Sequence, residues 1–250
     1  MCGRYCLTSA PEAIRTLYRY PDRPNFPPRY NVAPTQPVPI VRVLEGERRF
    51  ALVRWGLIPY WVKDPANFSL LINARGETIN EKPAFRNAMK RRRCLFPADG
   101  FYEWKVEGGR KRAFHARKPG GGPLAFAGLW ETWTGPNGEE METAAIVTTQ
   151  SNMELAAVHH RAPVIVQPEQ FDLWLGGEAE AAEAAELIKP APDGSMEVYE
   201  VSPAVNKVAN DSPELIEPYA APPDADRPAK LKPRIKPSRR AVDSGQGSLF

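Results

Sequence analysis

A cysteine at position 2 has chemistry that an internal cysteine lacks. The small Cys2 side chain favours removal of Met1, and the product carries a free α-amine and a thiol on adjacent carbons. Reference pKa values of about 7.7–8.0 for the amine and about 8.5 for the thiol leave both partly unprotonated near neutrality. Such a pair condenses with an aldehyde to an imine, and the thiol then closes a five-membered thiazolidine. Closure is intramolecular and gains from effective molarities that reach ~10⁵ M. Position alone favours plainer readings: an incidental cysteine, or Cys2 and Cys6 as half of a metal site.

Four further groups of residues could work beside it. His159, in VHHRAP (158–163), titrates near neutrality and suits proton transfer, although two neighbouring histidines are also ordinary loop residues. Glu103 lies in ADGFYEWK (98–105), where strand alternation puts it on the side of Phe101, with Tyr102 and Trp104 opposite. A carboxylate among aromatics can have a raised pKa; by itself the plainer reading is a surface strand glutamate. In LLINARGET (70–78) an apolar run leads into Asn73 and Arg75, an amide that donates and accepts and a guanidinium that suits phosphate, or else a strand end with a turn. Arg4, Arg29, Tyr30, Trp55, Tyr60, Trp61, Arg86 and the run 90–93 supply the cations and rings of which single-stranded nucleic-acid sites are made, though each tryptophan taken singly is a core residue first. Three cysteines and three histidines show no C-x-x-C or H-x₃-H spacing, so no metal and no cofactor is expected.

These residues need a scaffold, and the pattern predicts one. Twenty-seven prolines in 250 residues are about twice the usual share and exclude a body of long helices. Helical spacing covers 10–20, with Ser9 as its N-cap; seven prolines make 21–39 irregular. Strands are expected at 38–44 and 49–55 around an EGE turn, then at 94–97, 101–106, 111–116, 124–130, 141–149 and 196–202. A long aromatic loop fills 56–72, and helices are expected at 83–93, 168–175 and 178–188. The body reads as α+β, a mostly antiparallel sheet or barrel with short helices around it.

Charge divides the chain. The net +3 is carried by residues 221–250, which hold +4, while the preceding residues sum to −1. Two units are therefore expected, a body over 2–220 and a basic, Pro-rich, disordered tail over 221–250. The odd, low cysteine count and the lack of a long apolar run predict a reducing, cytoplasmic setting with no membrane segment.

Taken together, MCGRY (1–5), RYNVAPT (29–35), RWGLIPYW (54–61), LINAR (71–75), FPADGFYEW (96–104), VHHRAP (158–163) and VSPAVNKVAND (201–211) resemble the SOS response-associated peptidase (SRAP) family of abasic-site processing proteins. The resemblance spans about 2–218 and does not reach the tail. It implies the SRAP fold, binding of single-stranded DNA, and a DNA–protein crosslink in which the processed Cys2 forms a thiazolidine with the ring-opened abasic aldehyde and shields the lesion. By the matching motifs, Cys2 is the nucleophile and Asn73 holds the sugar or the cysteine amine. Glu103 orients and deprotonates that amine, and His159 opens the sugar ring and reverses the crosslink. Arg4 and Arg75 grip phosphates, and Trp61 stacks on bases or wedges the strand.

The family pattern departs at Val62, where a second tryptophan can follow Trp61, and at His160, where aspartate also occurs. Lyase activity through the imine is a further activity the reading allows. Competing readings are a cysteine peptidase built on Cys2, His159 and Glu103, acting in cis on residues ahead of Cys2, and a non-covalent reader of modified bases. A thiol peptidase needs no free α-amine, so a cysteine directly after Met1 favours the aldehyde chemistry. The protein is expected to be a monomer, working in bacterial cytoplasm at the nucleoid and replication forks. In the tail, Gln246, Leu249 and Phe250 fit the Q-x-x-L-F pattern with which bacterial proteins dock on the replication sliding clamp.

Overall fold

The computed structural model describes residues 2–220; the tail and its Gln246, Leu249 and Phe250 lie outside them. Among the described residues the strands are β1 (Tyr5–Leu7), β2 (Arg29–Val32), β3 (Pro37–Leu44), β4 (Glu47–Trp55), β5 (Asn73–Arg75), β6 (Arg93–Ala98), β7 (Gly100–Glu107), β8 (Arg110–Arg117), β9 (Leu124–Thr134), β10 (Glu140–Gln150), β11 (Arg161–Pro163) and β12 (Glu197–Val201). The helices are short: α1 (Pro11–Tyr18), α2 (Arg86–Arg91), α3 (Met153–Ala156), α4 (Phe171–Leu175) and α5 (Ala181–Ala185). No helix among them is long and apolar enough to cross a membrane.

Five strands close on themselves in the order β10-β4-β3-β6-β9, because β9 pairs with both β6 and β10. Closure removes the sheet edges that would otherwise need covering. The pairing is antiparallel except where β4 runs parallel to β10, at Thr143↔Arg54 and Ala144↔Trp55. A second sheet, β12-β8-β7-β1-β2, is antiparallel throughout. The α+β, barrel-centred architecture expected from the sequence is what forms.

Aromatic rings join the two layers. Tyr5 of β1 meets Trp55 of β4 and Phe126 of β9 edge-on, with centroids 5.3 and 6.1 Å apart, and Phe101 of β7 meets Phe126 at 5.7 Å. These edge-to-face contacts add to the burial of large apolar area. On the other face of β7, Tyr102 belongs to a smaller core with Cys6, Ala113, Val201, Val205 and Leu215. The alternation read from the sequence thus holds along this strand.

Several local expectations change. The turn between β3 and β4 is the two residues Glu45 and Gly46, both left-handed (φ 52° and 80°), the geometry that suits a twisted two-residue hairpin. Ser9 does not cap α1: Ala10 holds that position, Pro11 starts the helix, and the Ser9 hydroxyl donates to Asp99 instead. The Pro-rich stretch 21–39 contains β2 and the start of β3. The expected helix at 83–93 shrinks to α2 and that at 178–188 to α5, while β1, β2, β5 and β11 form as strands of three or four residues.

Arg93 explains the first contraction. It begins β6, is 3% exposed, and donates to the carbonyls of Met89, Lys90, Trp174, Gly176 and Gly177. One guanidinium thereby terminates α2 and α4 together, at their C-terminal carbonyl ends. Arg91 and Arg92 pair with Glu178 and Glu131. Three of the four basic residues 90–93 are therefore engaged by the protein's own carboxylates and carbonyls, although only Arg93 is buried. Arg93→Ala should lower the unfolding free energy in urea by about 3 kcal/mol or more, because several buried carbonyls lose their donor. The exposed Arg91→Ala should change it by no more than about 0.5 kcal/mol.

Candidate active site and nucleic-acid groove

The site is assembled around the amino-terminal arm. The β1–β7 ladder pairs Tyr5 with Phe101 and Cys6 with Gly100, and the Tyr102 N–H donates to the Arg4 carbonyl at 2.9 Å. This lays residues 2–4 along β7 and leaves Cys2 fully buried. Asn73 fixes the far end: its Nδ2 donates to the Cys2 carbonyl at 2.9 Å and to that of Ile72 at 2.8 Å. Its Oδ1 is buried with no hydrogen-bond partner among the described residues. Burial pushes the Cys2 thiol well above its ordinary range, the Glu103 charge adds to this, and the Cys2 sulfur lies 4.0 Å from the Arg4 carbonyl.

Glu103 is 3% exposed on β7. Burial raises its carboxyl above the usual range, and the positive amino terminus pulls it part of the way back. His159 follows α3, and its own N–H donates to the Leu155 carbonyl at 2.8 Å. Its Nδ1 lies 3.9 Å from Glu103 Oε2, 3.0 Å from the Arg161 backbone nitrogen and 3.1 Å from the Arg161 carbonyl oxygen. Burial, then the amino-terminal charge, lower the pKa of this ring, so it is neutral at pH 7. His160 stacks on it, 4.6 Å between centroids.

The carboxyl-terminal part of β10 brings Asn73 and His159 to one place. On one edge it pairs with β5, Ile146↔Asn73 to Thr148↔Arg75; on the other it pairs with β11, Gln150↔Arg161 to Thr148↔Pro163. Arg161 locks these pieces. It forks onto the Glu77 carboxylate and donates to the Thr148 carbonyl at 2.8 Å. Burial, a bidentate ion pair and a backbone acceptor together hold the residue whose backbone meets the His159 ring.

Beside this pocket an open groove of about 600 Å³ is lined by Trp61, Phe68, Asn73, Arg75, Lys82 and Phe85. Asn73 and Arg75 are two apart on β5 and share its face, while Ala74 is buried on the other. Trp61 is 48% exposed, and its ring stands edge-on to Phe68 at 5.8 Å. Val62 explains its orientation: it is buried with Ile58 and Trp133, and its carbonyl accepts the Trp133 indole N–H at 2.6 Å, which turns the next ring outward.

Arg4 is placed differently from Arg75. Its Nη1 donates to Asn31 Oδ1 at 2.6 Å and to the Val205 carbonyl at 2.9 Å, and burial lowers its pKa. Asn31, fully buried, also donates to the carbonyls of Val205, Lys207 and Asn210, while Asp211 accepts from Arg29 and from the N–H groups of Tyr30 and Asn31. The segments 29–35 and 201–211 therefore form a clasp that supports β1. Reading the sequence missed Asn31, Asp211, Glu77 and Arg161, whose roles depend on partners far along the chain. Arg161 adjoins the histidine pair, yet nothing local marks its partner at Glu77.

The sequence profile of the SOS response associated peptidase (SRAP) family matches residues 1–208. The abasic site processing protein YoqW of Bacillus subtilis is 38% identical over 222 residues, covering 87% of this chain and 99% of YoqW. YedK of Escherichia coli, named likewise, is 32% identical over 226 residues, covering 87% of this chain and all of YedK. HMCES of Xenopus tropicalis is 30% identical over 262 residues, covering 86% of this chain and 78% of HMCES. A crystal structure of a protein from Bacteroides thetaiotaomicron superposes with a TM-score of 0.79 at 26% identity, covering 88% of this chain and all of that one. With the matching profile spanning most of the folded body, the chain belongs to the SOS response associated peptidase family.

Proposed function

We propose that this protein processes abasic sites in single-stranded DNA by crosslinking to them through Cys2 once Met1 has been removed. The relatives named as abasic site processing proteins support the substrate. The observation that carries the chemistry is the Asn73 hydrogen bond to the Cys2 carbonyl, which fixes residue 2 beside a buried carboxylate and a neutral imidazole. Glu103 takes the proton of the Cys2 ammonium. His159 protonates the departing ring oxygen of the sugar while the C1 hydroxyl gives its proton to water, which frees the aldehyde. The amine adds to the aldehyde carbon and water leaves, giving the imine. The thiol then adds across the C=N bond, sulfur to carbon and its proton to nitrogen. The orphaned Asn73 Oδ1 accepts from the amine or a sugar hydroxyl. Arg75 and Lys82 meet phosphates along the groove, and Trp61 stacks on a base.

A thiol held protonated by burial suits this order, in which the amine reacts first, better than a peptidase thiolate does. Removal of residues ahead of Cys2 is the one peptidase step the scheme requires. Gln246, Leu249 and Phe250 are proposed to dock on the sliding clamp, which a titration of peptide 236–250 against the clamp tests.

Incubation of the processed protein with abasic single-stranded DNA, read by intact mass, should give one stable adduct with loss of water. Cys2→Ser should leave at most a transient imine, whereas Cys94→Ala should crosslink as wild type. A durable Cys2→Ser adduct would overturn the mechanism.

Glu103→Gln should slow adduct formation by about 10²–10⁴-fold. The Glu103 carboxyl is raised, so the wild-type rate should fall on acidification with a midpoint above the ordinary 4.5, and the variant should lose that limb. His159→Ala should slow formation and reversal alike, since the same proton crosses in both directions.

Arg75→Ala should reduce the slope of log affinity against log salt by about 0.7 with little change in stability. Trp61→Ala should cost about 1–3 kcal/mol of binding. Arg4→Ala should instead lower the melting temperature as well, because Asn31 and Val205 lose their donor.

A further inference from the structure

Cys6 heads a second, separate chain of reactive groups, on the face of the β1–β7–β8 sheet away from Cys2. The Tyr199 hydroxyl donates to the Ile216 carbonyl at 2.6 Å, so its proton is committed. His115 Nδ1, 3.0 Å from that hydroxyl, must therefore carry a proton and donate to it. This leaves the lone pair of Nε2 facing Cys6, whose Sγ lies 3.3 Å away, and the thiol donates to it. Thiol, imidazole and orienting hydroxyl stand in one hydrogen-bonded row, with the ring nitrogen placed to take the thiol proton as sulfur bonds to carbon. The arrangement is built into the backbone: a Cβ at Gly100 would lie 2.3 Å from His115 Nε2, so only glycine there lets the ring approach. A cavity of about 280 Å³ opens on the pair, lined by Cys6, His115, Arg117, Gly121, Gly122 and Ile216.

We propose that Cys6 and His115 form a covalent modification site for small, uncharged α,β-unsaturated carbonyl compounds. The compound's oxygen is received by the Arg117 guanidinium, whose Nε is held by Glu197 at 3.0 Å. Sulfur bonds to the β-carbon as the C=C electron pair shifts to the α-carbon. The thiol proton passes to His115 Nε2, and from there to the α-carbon. Nothing leaves and nothing is oxidised. Cys94 is an internal control, equally buried on β6, whereas His115 lies against Cys6.

Resting protonation gives the site a signature. Burial raises the Cys6 thiol, as does Asp99, with Arg117 opposing; burial and Arg117 lower His115 to about 3. Tyr102 and Tyr199 are the other titratable groups facing the ring, and both are raised, so neither ionises near neutrality. The reactive neutral pair is thus the dominant species across the working range, and the addition rate should not depend on pH there.

The test is acrylamide addition to the full chain without DNA, read by peptide mass at Cys6 and Cys94 between pH 5.5 and 7.5. Because no DNA is present, its outcome is independent of the crosslinking scheme. Cys6 should react at least ~10-fold faster than Cys94 at a constant rate, while free glutathione in the same mixture gains about 100-fold from thiolate formation. Folded His115→Gln should slow Cys6 by about 10²-fold or more. Tyr199→Phe, which keeps the ring but removes the acceptor for Nδ1, should slow it less. A Cys6 rate no faster than that of Cys94, or one that climbs with pH as glutathione does, overturns the proposal. So does an unchanged rate in folded His115→Gln or, should that variant not fold, in Tyr199→Phe.

Discussion

Cys2 sits on a chain arm that would fray unless tied, and much of the architecture around it serves to tie that arm. End segments are poorly ordered by default because few contacts offset their conformational entropy. Here β1 is only three residues long, yet it pairs with β7 on one side and β2 on the other. Asp99 accepts from the Thr8 and Ser9 N–H groups, Arg4 reaches Asn31 and Val205, and Asn73 takes the Cys2 carbonyl. The Tyr5 ring is driven between the two layers against Trp55 and Phe126. Each tie comes from a different part of the sequence, so the arm is positioned by the whole body.

The closed barrel provides the rigid counterpart. Its strand β10 pairs with β4 and β9 along the barrel and extends beyond it to hold β5 and β11. Two segments of three residues, each too short to be stable alone, thereby gain fixed register on a common strand. Asn73 and Arg75 come from one and the approach to His159 from the other. Groups on strands hold their geometry better than groups on loops, and the Arg161–Glu77 pair stiffens the loop that carries His159.

Burial sets the protonation logic throughout. The thiols of Cys2 and Cys6 are held protonated, Glu103 is shifted up, and His159 and His115 are shifted down. Charge separation is therefore disfavoured in this region. The same environment strengthens interactions with charge that develops during reaction. Outside this region the surface is wetter: Trp61 and Arg75 lie open on the groove, while most of the basic run 90–93 is neutralised by carboxylates and carbonyls.

The sequence by itself determined the class of the fold and the family to which the chain belongs. Alternation over 101–106 put Glu103 with Phe101, hydrophobic runs marked the long strands, and the motifs around Cys2, Asn73, Glu103 and His159 carried the family resemblance. These signals are local, since strand periodicity and turn chemistry act over a few residues. Tertiary structure alone decided what has no local signature. The strands β1, β2, β5 and β11 are too short to show a period and exist because a neighbour supplies their hydrogen bonds. Ser9 left the helix cap for Asp99, Arg93 became an internal clamp instead of a surface cation, and Arg4 turned inward where Arg75 stayed out. A charged or polar side chain goes where its buried partners are, and those partners lie dozens to hundreds of residues away in sequence, brought near only by the closed sheet.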